Sequence, residues 1–215
     1  MPAFIPDLPV ILAFALTTIV LAITPGPDMA LQMSRAINYG REHGLATAAG
    51  AMTGILVHTC LVALGISVLI VAAPTAFFVL KIAGALYLLY LAWQAITQGG
   101  GLRLAQKAAK TPNVAQSYLT GIGINLLNPK VVLFFMTFLP QFVDSHDPAA
   151  GQKLLFLGAE FILVSIPLAV LTVFAAEWLA GTLVRSTWVQ RALNWSFAAV
   201  FTAFAATILF AEGRK

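Results

Sequence analysis

Two charged residues follow prolines inside otherwise apolar runs of the chain, and they are the first candidates for chemistry. Asp28 follows Pro27 in "TPGPD", and Lys130 follows Pro129 in "NPK". Left in lipid at mid-depth, each charge would cost roughly 2.5–3.5 kcal/mol. Ionisable groups inside membrane segments usually face a cavity and serve function, so we predict that Asp28 and Lys130 belong to a binding site.

The prolines add to this prediction, because each of them interrupts a helix. Proline has no backbone N–H and clashes with the carbonyl one turn earlier, while Gly and Asn tolerate non-helical backbone angles. In a bilayer the freed backbone groups need partners, so they favour a cavity or a ligand. Ordinary kinks packed against neighbouring helices are the alternative. The predicted substrate-binding residues are Pro25, Gly26, Pro27, Asp28, Asn128, Pro129 and Lys130.

The two breaks lie at equivalent places in an internal repeat. A shift of about 102 residues superimposes the two charged residues and the prolines before them, and it also aligns His58 with Glu160. Broken helices at matching places in two inverted halves are typical of secondary transporters, where they form the substrate site.

The elements that position these residues must be membrane helices. Of 215 residues, 60% are hydrophobic and 9% are charged, which is too little charge to cover a soluble globule. We predict an all-α integral membrane protein with six transmembrane helices, arranged as two inverted three-helix repeats with broken first and fourth helices. The predicted spans are 8–38, 44–72, 75–97, 113–143, 152–179 and 188–211.

One extended polar segment divides the chain near its middle. It predicts a first half at 1–97, a basic linker at 98–112 and a second half at 113–215. Most Lys and Arg residues lie in this linker and in two other loops of the same side, which places all three in the cytoplasm. A five-span arrangement with one re-entrant segment is the alternative. The formal charge of +4 is dispersed among these loops, so we expect no nucleic-acid partner.

Three stretches carry a resemblance to a known family. "TPGPDM" at the first break, "GAMTGILVH" from Gly50 to His58, and "NLLNPKVVLFFMTFLPQF" in the fourth run resemble the lysine exporter and homoserine/threonine resistance family, LysE/RhtB. The resemblance covers essentially the whole chain. It implies a multi-pass protein of the bacterial inner membrane that exports amino acids or their derivatives by proton antiport, and it leaves the substrate side chain open.

The predicted site has the charges that a zwitterionic amino acid needs. We expect Asp28 to bind the α-ammonium, and Lys130 with freed backbone N–H groups to bind the carboxylate. Without substrate, the two side chains should pair with each other. The candidates for proton coupling are His58, which titrates nearest neutral pH, Glu160 in its apolar run, and Asp28 itself. A hydrogen-bonded core histidine is the alternative for His58.

Two further patterns concern packing. Gly50 and Gly54 form a G-x-x-x-G pair, which favours close helix contact within the subunit or between two copies in a homodimer. Phe134, Phe135 and Phe138 are expected to form a wall of the transport path, and ordinary core packing predicts the same residues.

Other classes of protein fit the sequence less well. It has no H-x-x-H or C-x-x-C pair, no clustered carboxylates and no phosphate-binding glycine loop, so we expect no metal, no cofactor and no enzymatic activity. The expected partners are a small amino-acid substrate, protons and the lipid bilayer. An exporter of another small metabolite or cation is the first alternative, and an integral membrane enzyme is the second.

Overall fold

A computed structural model describes residues 3–24, 26–72, 112–144 and 147–176, together with isolated helical positions between 82 and 206. Every element in these four ranges is helical, so the prediction of an all-α protein is confirmed. A π-helical turn at Phe134–Phe138 and a 3-10 turn at Leu139–Phe142 follow α5. The α-helices are α1 (Leu8–Ile23), α2 (Pro27–Tyr39), α3 (Arg41–Ala72), α4 (Val114–Leu126), α5 (Pro129–Leu133) and α6 (Ala150–Phe174).

The two predicted breaks are present. The axes of α1 and α2 meet at 54°, and those of α4 and the segment Lys130–Phe142 also meet at 54°. Each bent pair is apolar enough to form one span, which confirms the prediction that the first and fourth helices are broken.

Two unbroken helices are long and apolar enough to cross a membrane alone, at Arg41–Gly65 within α3 and along α6. With the bent pairs they make up to four spans in the described ranges. The third and sixth predicted spans and most of the predicted linker lie outside those ranges. The division of the chain into two halves therefore stays a prediction.

The outer surface of the described helices is apolar. Exposed side chains recur every three or four residues along one face of α1, and exposed leucines recur along α6. Apolar stripes of this length suit lipid and would be a liability in water. The stripe on α1 consists of Leu8, Leu12, Leu16, Ile19 and Ile23.

Helices α3 and α4 are held together by glycines. A Cβ atom on Gly50 would collide with the backbone carbonyl of Tyr118, and one on Gly121 would collide with that of Thr47. The predicted glycine contact is therefore made within the subunit, where small residues let two backbones approach closely. The homodimer stays a prediction.

The phenylalanines after the second break belong to the core. Phe134 and Phe135 are buried, and their ring centroids lie 5.5 and 5.2 Å from that of Phe161 on α6. Phe14 of α1 joins the same cluster, with its ring 5.9 Å from that of Phe134. The cluster fastens the segment after α5 to α1 and α6.

The loop before α6 is fixed by Asp147. Its carboxylate accepts hydrogen bonds from the Lys153 ammonium and from the backbone N–H of Ala149. These two bonds hold the pKa of Asp147 below its ordinary value. These hydrogen bonds connect the charged loop to the first turn of α6, a helix made mostly of apolar residues.

The close contact between α3 and α4 predicts that alanine destabilises the protein at one glycine of α4 and not at another. Gly121→Ala should lower the free energy of unfolding by about 1–3 kcal/mol, because the new methyl group meets the backbone of α3. Gly123→Ala is the matched control, since no atom lies within 4 Å of a Cβ placed there. Thermal unfolding of both variants in detergent measures the difference. Equal midpoints would show that the close approach contributes nothing.

Candidate functional site

The first break leaves backbone carbonyls without helical partners at the end of α1. The carbonyl of Leu21 would normally accept from the N–H of residue 25, and proline has none. The Nζ of Lys130 takes this place, donating to the carbonyl oxygens of Leu21 at 3.1 Å and of Thr24 at 2.8 Å. A cation is also favourable at the negative end of a helix dipole. Lys130 therefore fastens the start of α5 to the end of α1.

Asp28 lies in the first turn of α2, at the positive end of that helix dipole. Its Oδ2 accepts hydrogen bonds from the side-chain amides of Asn125 at 3.0 Å and Asn128 at 2.8 Å. Its Oδ1 is buried and has no hydrogen-bond partner within the described chain. One carboxylate oxygen is thus held in place, and the other can accept from a ligand.

Asn125 and Asn128 lie at the second break, and both connect it to Asp28. Asn128 is the N-cap of α5, where its Oδ1 accepts from the backbone N–H of Lys130 at 3.1 Å. Asn125 turns its amide nitrogen to Asp28, and its Oδ1 is buried without a hydrogen-bond partner in the same described ranges. A Cβ on Gly54 would collide with the Asn125 side chain, so this glycine makes room for it.

The structure corrects the expectation that Asp28 and Lys130 pair directly. The carboxylate is bound by two amides, and the ammonium is bound by two carbonyls. The physical reason is that the breaks supply hydrogen-bond partners of both kinds. Each charge therefore has its own hydrogen-bond partners, and no direct ion pair joins the two side chains.

Asp28 and Lys130 nevertheless face one cavity, to which all six helices contribute. The centre of a water molecule can reach about 70 Å³ of this cavity, which is room for several waters or a small polar solute. Asn125 also faces it, as do Thr24, Gln32, Ser165 and Thr172. The apolar part of the wall includes Met29, Met52, Ile55, Phe161 and Leu168.

The other predicted binding residues have supporting positions. Gly26 is the N-cap of α2, and a Cβ there would lie 3.2 Å from the Nζ of Lys130, so a small residue leaves room for the ammonium. Pro27 begins α2 but faces a separate groove beside α4. Pro129 begins α5, and Pro25 lies outside the described residues.

His58 is buried next to the second break but does not line the cavity. Its Nε2 lies 3.5 Å from the backbone carbonyl oxygen of Asn125, and its ring stacks on Phe135 with 5.8 Å between centroids. That carbonyl has lost its usual helical partner, because the residue four positions later is Pro129. His58 therefore contacts the residue that holds Asp28.

Glu160 lies on α6, next to the cavity residue Phe161, and is not itself part of the cavity wall. Its Oε2 is buried without a hydrogen-bond partner in the described part of the protein. The roles of Glu160, His58 and Asp28 in proton coupling stay predictions. Within the described ranges no three His, Cys, Asp or Glu side chains are placed to hold a metal ion.

Sequence reasoning missed Asn125, Gln32 and Ser165 as cavity residues. Each is a neutral polar residue in a mostly apolar setting, and buried polar groups need partners. That rule does not separate cavity residues from the rest, because many hydroxyls in these helices serve their own backbone. Thr47 and Thr59, for example, donate to the carbonyls four residues earlier.

Two broken helices that bring opposite charges to a shared cavity are typical of secondary membrane transporters. The model of the LysE type translocator family matches residues 19–212, so the chain belongs to this family. The homoserine/homoserine lactone efflux proteins of Salmonella typhimurium and Salmonella typhi are each 32% identical to it over 195 residues, or 88% of this chain and 90% of the relative. An uncharacterized membrane protein of Vibrio cholerae is 30% identical over 199 residues, covering 91% and 94%. No solved structure matches the chain significantly.

The double role of Asn128 predicts a stability difference between two N-cap asparagines. Asn128→Ala should destabilise the protein by roughly 1.5–3 kcal/mol, because it removes a cap and one amide donor from the buried Asp28 carboxylate. Asn113→Ala removes only the exposed cap of α4, for about 0.5–2 kcal/mol. Thermal unfolding in detergent compares the two. A larger loss at Asn113 would contradict the role assigned to Asn128.

Proposed function

We propose that this protein is a secondary active exporter of neutral amino acids or their derivatives in the bacterial inner membrane. The observation that carries the proposal is a cavity with one carboxylate, one ammonium and unused hydrogen-bonding atoms beside them. An α-amino acid carries the complementary pair of charges a few bonds apart. The LysE type translocator family supports transport as the task.

The acceptor side of the cavity suits an ammonium group. The Oδ1 atoms of Asp28 and Asn125 are both buried without hydrogen-bond partners in the part of the chain described, and both residues line the cavity. An ammonium has three donors and no acceptor, so it complements two acceptors of which one is charged. We assign the substrate's α-ammonium to the Asp28 carboxylate, since the Asn125 oxygen packs against Gly54 of α3.

The donor side suits a carboxylate. The Lys130 ammonium donates to two backbone carbonyls, and a lysine has three N–H donors, so one N–H is left for a ligand. The first turn of α2 adds backbone N–H groups without helical acceptors, at Asp28 and Met29, and both residues line the cavity. We assign the substrate's carboxylate to Lys130 and this helix terminus.

The names of the relatives favour a particular substrate. Proteins 32% identical to this chain are named for efflux of homoserine and homoserine lactone, so a homoserine- or threonine-like compound is our first candidate. A lactone keeps the ammonium but has no free carboxylate. Both compounds would therefore share the Asp28 side of the site and differ on the Lys130 side.

We further propose that efflux is coupled to proton entry. Asp28 can hold either the substrate ammonium or a proton, and competition between the two for one carboxylate produces antiport. His58 is connected to this carboxylate through Asn125, and Glu160 lies one residue from the cavity wall. Both are candidates to carry the proton to or from Asp28.

The proposal is tested by efflux from proteoliposomes loaded with a panel of labelled amino acids, with and without an imposed pH gradient. We expect gradient-dependent efflux of neutral amino acids, reduced roughly 30-fold or more in Asp28→Asn through loss of a buried charge partner. Asp7→Asn is the matched control, because Asp7 is an exposed N-cap outside the cavity. If the protein moves only another metabolite or a cation, amino acids are not its substrate class.

The proposed site binds the ammonium at Asp28 and the carboxylate at Lys130. Substitutions of these two residues should therefore reduce the efflux of homoserine and of homoserine lactone to different extents. Lys130→Met should reduce homoserine efflux more than homoserine lactone efflux, whereas Asp28→Asn should reduce both. The ratio of the two fluxes within one preparation is independent of how much protein is folded. If Lys130→Met leaves that ratio at the wild-type value, the carboxylate does not bind at Lys130.

A further inference from the structure

One serine in the cavity wall has no role in the fold or in the charged part of the site. Ser165 lies on α6 with 5% of its surface exposed, and it lines the same cavity as Asp28 and Lys130. Its Oγ is buried and has no hydrogen-bond partner in the described ranges. A buried hydroxyl of this kind is unfavourable unless something binds it.

Other hydroxyls of the described helices show that Ser165 is unusual. Threonines in α1, α3 and α4 donate to carbonyls four residues earlier, as helical hydroxyls commonly do. Thr172 lies two turns further along α6 on the same face, and its Oγ1 donates to the carbonyl of Leu168 at 2.9 Å. Thr18 also lacks a partner, but it does not line the cavity. Among the residues described, Ser165 alone combines an unpartnered hydroxyl with a place in the cavity wall.

The charges of the cavity limit what a substrate side chain can carry. Asp28 and Lys130 are the charged residues among the described lining side chains, and the proposed function assigns both to the α-ammonium and the carboxylate. A second charge on the substrate would face Met29, Met52 and Ile55 without a counter-ion, and an unpaired buried charge is strongly unfavourable. The cavity therefore favours a neutral side chain.

We propose that Ser165 determines specificity by hydrogen-bonding the neutral polar end of the substrate side chain. This inference rests on the proposed function and extends it from the charged groups to the side chain. The preferred substrates are short amino acids that end in a hydroxyl or carbonyl oxygen. Gln32 of α2, a buried amide that lines the same cavity, is a second neutral hydrogen-bonding group there.

Homoserine and norvaline provide the test, because their side chains have the same number of non-hydrogen atoms and differ in one hydroxyl group. Efflux of both, and of lysine as a cationic probe, is measured from proteoliposomes. Wild-type protein should prefer homoserine over norvaline by about tenfold, the factor that one hydrogen bond of about 1.4 kcal/mol provides. It should move lysine least. Ser165→Ala should bring the homoserine-to-norvaline ratio close to one while norvaline efflux is retained.

Two variants separate specificity from folding. Thr18→Val removes a buried hydroxyl that also has no partner in the described ranges but does not line the cavity, so it should keep the preference. Ser165→Thr should restore part of the preference. The inference is overturned if Ser165→Ala lowers both fluxes equally, or if wild-type protein shows no preference between the pair. Absence of both fluxes in wild-type protein would overturn the proposed function, and this inference with it.

Discussion

Backbone groups freed inside the membrane must find partners within the protein, and this constraint organises the two breaks. The carbonyls at the end of α1 are bound by the Lys130 ammonium from α5. The carbonyl of Asn125 at the end of α4 lies against His58 and accepts from the backbone N–H of Asn128. Each break is thus contacted by a residue of another element, and at the first break that residue, Lys130, also lines the cavity.

The same constraint explains why the two charges can act on a substrate. A direct ion pair would have to be broken before a zwitterion could bind, at a large cost in a buried setting. Here Asp28 is positioned by two asparagines and Lys130 by two carbonyls, and each keeps unused hydrogen-bonding capacity. In the proposed function a substrate adds to these contacts without replacing them. Such preorganisation reduces the cost of binding.

Much of this arrangement was predictable from the sequence, because prolines and charges in apolar runs have few physical explanations. The broken helices and the place of Asp28 and Lys130 in one cavity follow from that reasoning. The sequence did not predict that the two charges have separate hydrogen-bond partners. Hydrogen bonds between helices depend on how each helix is rotated about its axis. Helix α6 shows the difficulty, because it is apolar on nearly all sides and its sequence does not reveal that Ser165 faces the cavity.

The cavity therefore has two parts with different structural duties. The charged part is built from the breaks, where a substitution at Asn128 or Lys130 disturbs both a helix end and a charged residue of the cavity. Ser165 on the α6 wall has no such double duty, because its hydroxyl stabilises no other described group. In the proposed mechanism, a substitution at Ser165 changes the side chain that is accepted while the breaks remain intact. In the proposed mechanism, one charged framework binds the amino and carboxyl groups of different substrates, and Ser165 on α6 selects among their side chains.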